Sequence, residues 1–197
     1  MIREPFDCIL VREVDQGTVQ AGVAQVTLDQ LPPGDVLVEV AWSSLNYKDA
    51  LAAQGHPGVA ARLPHVPGVD AAGIVVQSQS ARCPVGMPVI VHGAELGAGR
   101  WGGWCRFVRV PAGSIIPLPT GLTLKTAMIY GTAGFTAAQC AEQLLVHQVL
   151  PDTGPVVVTG ATGGVGCLAV KLLAMLGYEV TASTGKPEAA EWLKQLG

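Results

Sequence analysis

The residues Val156-Val157-Val158-Thr159-Gly160-Ala161-Thr162-Gly163-Gly164-Val165-Gly166 run from a β-branched segment into glycines and then into an amphipathic stretch. A continuous apolar, β-branched run is the pattern of a parallel strand buried on both faces. Glycines carry no Cβ, so their backbone N–H groups can approach an anion closely. A helix that starts there adds free N–H groups and the positive end of its dipole. Strand, glycine turn and helix together form the local design that cradles a dinucleotide pyrophosphate.

The surrounding residues fit that design. Val165, Leu168, Ala169, Leu172, Leu173 and Leu176 repeat at helical spacing and predict one apolar face. Gly177 stands where a C′ glycine ends a helix, and residues 178–182 read as a second strand, completing a βαβ unit. In the register Ala161-x-Gly163-x-x-Gly166 the first fingerprint glycine is alanine, with Gly160 just before it. The competing reading is a glycine-rich turn in an unrelated α/β domain.

The end of the second strand selects between cofactors. An NAD site places Asp or Glu there to hold the ribose 2′-OH. This chain has Ser183-Thr184-Gly185-Lys186, two hydroxyls and a cation, which suits a 2′-phosphate. The expectation is NADP(H); the bland alternative is that Lys186 is a solvated residue ahead of a helix opened by Pro187.

Composition narrows the class. The chain has 197 residues, 49% hydrophobic and only 14% charged, with net charge −3 and no basic cluster, so nucleic acid is not an expected partner. No apolar run reaches membrane-spanning length, and Met1-Ile2-Arg3-Glu4 does not read as a signal peptide, so a cytoplasmic location is expected. Cys8, Cys83, Cys105, Cys140 and Cys167 are odd in number with no C-x-x-C pair, and are read as reduced and mostly structural. His56, His65, His92 and His147 show no metal-ligand spacing with them; His65 reads as a loop histidine, and no metal is expected.

Upstream of about residue 120 the pattern is β-rich. Residues 6–14, 35–42, 72–77, 89–92 and 105–110 are predicted strands, separated by turn signals, with a helix at 46–53. The composition then turns Ala-rich, and 126–129 and 136–145 are predicted helical.

Four ordered motifs make a family resemblance specific: Trp42-Ser43-Ser44-Leu45-Asn46-Tyr47-Lys48-Asp49, Pro67-Gly68-Val69-Asp70-Ala71-Ala72-Gly73, Trp101-Gly102-Gly103, and Gly131-Thr132-Ala133-Gly134-Phe135-Thr136-Ala137. With the glycine turn they resemble the acrylyl-CoA reductase group, in the quinone-oxidoreductase-like branch of the medium-chain dehydrogenase/reductase superfamily. The resemblance implies an α/β chain with a GroES-like β-rich catalytic domain over 1–122, then the first βαβ unit of a Rossmann doubly wound sheet over 123–197. NADPH and substrate are expected in the cleft between them. It implies that Tyr47, with Asn46 beside it, lies at the nicotinamide end as the catalytic candidates. Thr132 and Thr136 fall near the nicotinamide, although Thr132 also suits a helix N-cap. Thr162, Gly163, Gly164 and Val165 fall on the pyrophosphate turn. Thr184, Gly185 and Lys186 fall on the 2′-phosphate segment, where Lys replaces a more familiar Arg and loses its bidentate fork.

Zinc-dependent relatives carry Gly-His-Glu where this chain has Gly68-Val69-Asp70, so the resemblance implies zinc-free chemistry. That chemistry is hydride transfer to the β-carbon of an activated C=C, in acrylyl-CoA or a related enoyl-CoA; quinone reduction is the alternative. Lys48 and Asp49 read either as an acid–base pair or as a solvated pair. A full dinucleotide fold needs about six strands, so the chain is expected to be a C-terminally truncated member. A homodimer is expected for a full-length member and is doubtful for this chain; a non-catalytic fragment is the third reading.

Overall fold

The computed structural model describes residues 4–15, 17–93 and 95–197; Met1-Ile2-Arg3 of the start considered above lies outside the described residues. Two compact units divide the chain, Met1–Ile129 and Tyr130–Gly197. Among the described residues no helix is long and apolar enough to cross a membrane.

In the first unit, β1 (Phe6–Asp15) and β2 (Thr18–Val26) form an antiparallel hairpin. A five-stranded antiparallel sheet follows, from β3 (Val36–Ser43), β4 (Ala71–Ser78), β5 (Pro88–Val91), β6 (Phe107–Val110) and β7 (Ile115–Pro117), in the order β6-β3-β4-β5-β7. Helix α1 (Tyr47–Ala53) leaves the end of β3. Period-two alternation gives β3 two buried faces. Val36 and Val38 enter a core with Val75, Val89, Val91 and Val110, while Leu37 enters another with Phe6, Val26 and Phe107. Each fully buried valine or leucine contributes about 1.5–3 kcal/mol, against about 0–1 kcal/mol for an exposed ion pair such as Arg106–Glu39. Burial, rather than surface charge, therefore holds the sheet.

Five of these strands lie where the pattern predicts them, but β2 and β7 do not come from it. β2 is Gln- and Ala-rich and mostly exposed, so it lacks an apolar alternation; its pairing with β1 across a turn at Gly17 (φ +79°) makes it a strand. β7 has only three residues.

The two predicted helices at 126–129 and 136–145 are halves of α2 (Leu124–Val146), broken by a non-helical Gly131 (φ 48°, ψ −153°). β8 (Val156–Thr159) and β9 (Val180–Ser183) then pair in parallel, Val156 opposite Val180, with α3 (Gly164–Met175) between them in sequence; α4 (Ala190–Leu196) closes the chain. Gly177 ends α3 as expected: at φ +88° it donates to Ala174 O (3.0 Å), and Tyr178 N donates to Leu173 O (3.1 Å), a Schellman closure.

Two expectations about this unit need correction. On α3, Ala169 and Leu173 are buried as expected and Leu172 packs beside them, but Gly166 and Val170 join the buried face while Val165 and Leu176 are exposed at 39% and 43%. Close packing against the preceding turn selects glycine at 166, a position that a search for large apolar side chains overlooks. β8 is covered on one face only: Val156 and Val158 pack inward and Val157 is 61% exposed.

His65 lies in the segment between α1 and β4, outside any named strand or helix, and is buried there. Its backbone pairs with Val11 in both directions (2.8 Å each), and its Nε2 lies 2.9 Å from Gly97 O, so Nε2 must carry the proton. Burial lowers the imidazole pKa below 6.5, against the raising effect of the Gly97 bond. The unfolded chain then binds more protons below that value, so this stability is present above it and is lost as pH falls toward the folded value. We predict a lower thermal midpoint at about pH 5.5 than at about pH 7.5, with a smaller difference in His65→Gln. Equal differences in the two proteins would contradict the assignment.

Candidate functional site

Three of the sequence motifs converge in the first unit, and backbone hydrogen bonds show why. Gly102 N donates to Val66 O (2.7 Å), Gly103 N to Gly68 O (2.8 Å) and Trp104 N to Pro67 O (3.0 Å). A Cβ on Gly103 would meet Asp70 O and, at 3.0 Å, Ser43 Oγ; one on Gly102 would meet Gly68 O and Pro67 O. Only glycine lets the Trp101-Gly102-Gly103 segment lie this close to the Pro67–Asp70 backbone. Trp104 Nε1 donates to Ser44 O (3.2 Å), joining the first motif to the other two.

Asp49 anchors the helix that carries Asn46 and Tyr47. Its carboxylate is fully buried and accepts three backbone N–H groups: Gly68 (3.0 Å) and Val69 (2.9 Å) on Oδ1, and Asn46 (2.7 Å) on Oδ2. The Asn46-x-x-Asp49 spacing places the acid at N3, where a capping carboxylate reaches back to the N-cap amide. Neither reading of Lys48 and Asp49 as a pair survives: Lys48 is exposed, and the carboxylate turns inward to backbone amides.

Asp70 gathers the neighbouring polar groups. It is 1% exposed, and its Oδ2 accepts Asn46 Nδ2 (2.9 Å) and the Ser44 hydroxyl; His92 Nδ1 stands 3.7 Å from Oδ1. Asn46 Nδ2 also donates to Ser44 Oγ (2.8 Å), so both its amide hydrogens hold the loop. Tyr47, by contrast, is 79% exposed. The roles of Ser44, Asp70 and His92 escaped the sequence reading; the only signal was Asp70 at the place of the zinc-type Glu. Among the described residues no group of three or more His, Cys, Asp and Glu gathers as a metal site.

The remaining candidates lie in the second unit. Gly160 turns the chain out of β8 at φ +60°, Ala161 N donates to Ser183 O (3.1 Å), and Gly163 is the N-cap of α3. No side chain caps α3, so its first-turn amides lack the side-chain acceptor usual at a helix start. A Cβ on Gly166 would meet Gly160 O and, at 2.8 Å, Ala161 Cα, so the helix approaches the turn as only glycine permits. Thr162 Oγ1 and Thr184 Oγ1 lie 3.3 Å apart, and Lys186 N donates to Thr184 Oγ1 (3.1 Å). Thr162, Thr184 and Lys186 are thus brought together, with Lys186 exposed. Gly163, Gly164 and Val165 are exposed beside a cavity of about 540 Å³ that they line with Val157, Thr159 and Gly160. Thr136 Oγ1 donates to Thr132 O (2.8 Å) within α2, after Gly131.

Comparison with known proteins is consistent with both halves. Residues 32–120 match the alcohol dehydrogenase GroES-like domain. The acrylyl-CoA reductase AcuI of Ruegeria pomeroyi is 45% identical over 193 residues, 98% of this chain and 58% of that protein. The putative quinone oxidoreductase YhfP of Bacillus subtilis is 46% identical over 95% of this chain and 57% of its own length. The crystal structure of Bacillus subtilis yhfP with NAD bound has a TM-score of 0.93 at 44% identity, over 98% of this chain and 59% of that one. The yhdH oxidoreductase of Salmonella enterica, in complex with NADP, has a TM-score of 0.93 at 45% identity, over 96% of this chain and 58% of that one. The chain thus spans somewhat over half the length of the relatives it matches.

The Asp49 geometry makes a measurable prediction. Asp49→Ala leaves one buried and two part-buried N–H groups without their acceptor, each costing up to about 1–3 kcal/mol. Urea unfolding should show a loss of about 3 kcal/mol or more, and a smaller one for Asp49→Asn, which keeps one oxygen. A loss below about 1 kcal/mol in the alanine variant would remove the carboxylate from this role.

Proposed function

We propose that this chain, a member of the quinone-oxidoreductase-like branch of the medium-chain dehydrogenase/reductase family related to the acrylyl-CoA reductases, belongs to an NADPH-dependent, zinc-independent reductase of activated C=C bonds. The observation that carries the proposal is the uncapped start of α3 at Gly163, set by Gly166 close to Gly160, with Thr184-Gly185-Lys186 directly after the neighbouring strand. A helix start packed against its turn as only glycine allows, first-turn amides without a side-chain cap, and a cation without an acid fit a dinucleotide that bears a 2′-phosphate.

In this reading Thr162, Gly163, Gly164 and Val165 hold the pyrophosphate, and Thr184, Gly185 and Lys186 hold the 2′-phosphate. Tyr47 meets the nicotinamide end with Asn46 positioning it, and Thr132 and Thr136 lie near the same end. When bound, NADPH supplies the hydride that reaches the substrate β-carbon. The chain's residues orient the partners, exclude water and stabilise the enolate character that the thioester oxygen gains. Tyr47 is the candidate for the α-carbon proton, by its exposed phenol. Zinc independence is supported by Asp70, whose carboxylate accepts Asn46 and Ser44 while Val69 stands in place of a histidine. The same reading expects acrylyl-CoA or a related enoyl-CoA as substrate, a domain boundary at 122/123, and a cytoplasmic, homodimeric whole protein without nucleic-acid or membrane partners.

Quinone reduction is the second reading, favoured by the name of the Bacillus subtilis relative. NADPH oxidation by the whole protein, followed with acrylyl-CoA and with benzoquinone, separates the two: the proposal expects higher kcat/KM with the thioester, and turnover of the quinone alone overturns it. Loss of a charged hydrogen bond costs about 1.5–3 kcal/mol, so Lys186→Ala should narrow the preference for NADPH over NADH by about tenfold or more. An unchanged ratio removes Lys186 from the phosphate site.

A further inference from the structure

Two cysteines read from sequence as separate, reduced residues face each other in the first unit. Cys8 on β1 and Cys105, just before β6, form an isolated antiparallel bridge. Ile9 N donates to Trp104 O (2.9 Å) and Arg106 N donates to Asp7 O (3.1 Å), so the flanking residues hold the hydrogen bonds. Cys8 and Cys105 are therefore a non-hydrogen-bonded pair, the closer of the two antiparallel kinds, with Cα atoms about 4.5 Å apart. A disulfide spans Cα separations of about 4.4–6.8 Å, so the backbone already has the spacing the bond needs.

Both side chains are free thiols, 4% and 6% exposed. They hydrogen-bond to one another. The bond from Cys105 lowers the Cys8 pKa against the raising effect of burial, and the same bond with burial raises that of Cys105. Of the two thiols, Cys8 is therefore the more readily ionised. A shallow cavity of about 320 Å³ opens at the pair, lined by Cys8, Ile9, Val23, Trp104, Cys105 and Arg106, so a small reagent has a route in.

We propose that Cys8 and Cys105 are a dithiol modification site that hydrogen peroxide closes to a cross-strand disulfide. The Cys8 thiolate attacks one peroxide oxygen and the O–O bond breaks, giving Cys8 sulfenic acid and, after proton uptake, water. The Cys105 sulfur then attacks the Cys8 sulfur. The S–O bond breaks, the Cys105 proton leaves with the hydroxyl as a second water, and the S–S bond forms. Two thiols lose two electrons and two protons in total, and one peroxide becomes two waters. The product ties the hairpin to the segment in which Trp104 contacts Ser44 and Pro67, next to the loop of Asn46 and Tyr47. The site stands on the bridge geometry and is independent of the cofactor reading.

The test is peptide mapping of the intact chain. After treatment with peroxide, denaturation and alkylation, the expected product is a Cys8–Cys105-linked peptide two hydrogens lighter than its reduced parts. Both residues should escape alkylation, dithiothreitol should restore it, and a Cys140→Ser, Cys167→Ser background should give the same result. In Cys105→Ser the resolving thiol is absent, so dimedone should trap sulfenic acid on Cys8. Full alkylation of Cys8 and Cys105 under conditions that oxidise the exposed Cys140 would overturn the proposal, and the wild-type map decides this even if the serine variant does not fold.

Discussion

The buried carboxylate of Asp49 is the constraint on which the first unit's site depends. A carboxylate with no exposure is tolerated only because three backbone N–H groups converge on it. Those three donors belong to two different motifs, the α1 start and the Gly68–Val69 turn. One side chain therefore fixes how the helix bearing Asn46 and Tyr47 meets that turn, and the turn in turn holds the Trp101-Gly102-Gly103 segment by its own carbonyls. Asp70 repeats the device one step further on, collecting Asn46 and Ser44. The result is a hydrogen-bonded polar base beside an exposed tyrosine.

The second unit rests on a different constraint, the close approach of α3 to the turn that precedes it. Gly166 faces Gly160 O where no larger residue fits, and the buried stripe of α3 continues through Ala169 and Val170. Small residues bring the helix start near the strand end, and the first-turn amides stay open because no side chain caps them. The open amides and the narrow helix–strand spacing are two consequences of the same glycines. That unit leaves Val157 and one face of the β8–β9 pair uncovered, which is consistent with a chain that matches 58% of the AcuI relative.

Much of the fold was legible because local pattern and final structure agree. Gly177 closes α3 by the backbone chemistry its sequence position implies, and the β3 alternation records two buried faces. What escaped had a non-local cause. β2 owes its conformation to pairing with β1 and carries no apolar alternation of its own. The α3 stripe was legible at Ala169 and Leu173 but not at Gly166, because side-chain size misleads where close packing demands glycine. Asp49 looked like half of a charged pair because residues 19 and 20 positions away supply its partners. Cys8 and Cys105 are far apart in sequence, and no spacing rule connects them. The candidate residues sit in ordered motifs, while their hydrogen-bonding roles depend on partners distant in sequence.

The central claim is that the α3 start and the β9 end together hold the phosphates of NADP(H). Its most direct test is an NMR titration of the labelled chain with adenosine 2′,5′-bisphosphate, compared with adenosine 5′-monophosphate. Shifts are expected at the amides of Thr162, Gly163, Gly164 and Val165 with either ligand, and at Thr184, Gly185 and Lys186 only when the 2′-phosphate is present. Identical responses to the two ligands at Lys186, or shifts confined to other parts of the chain, would contradict it.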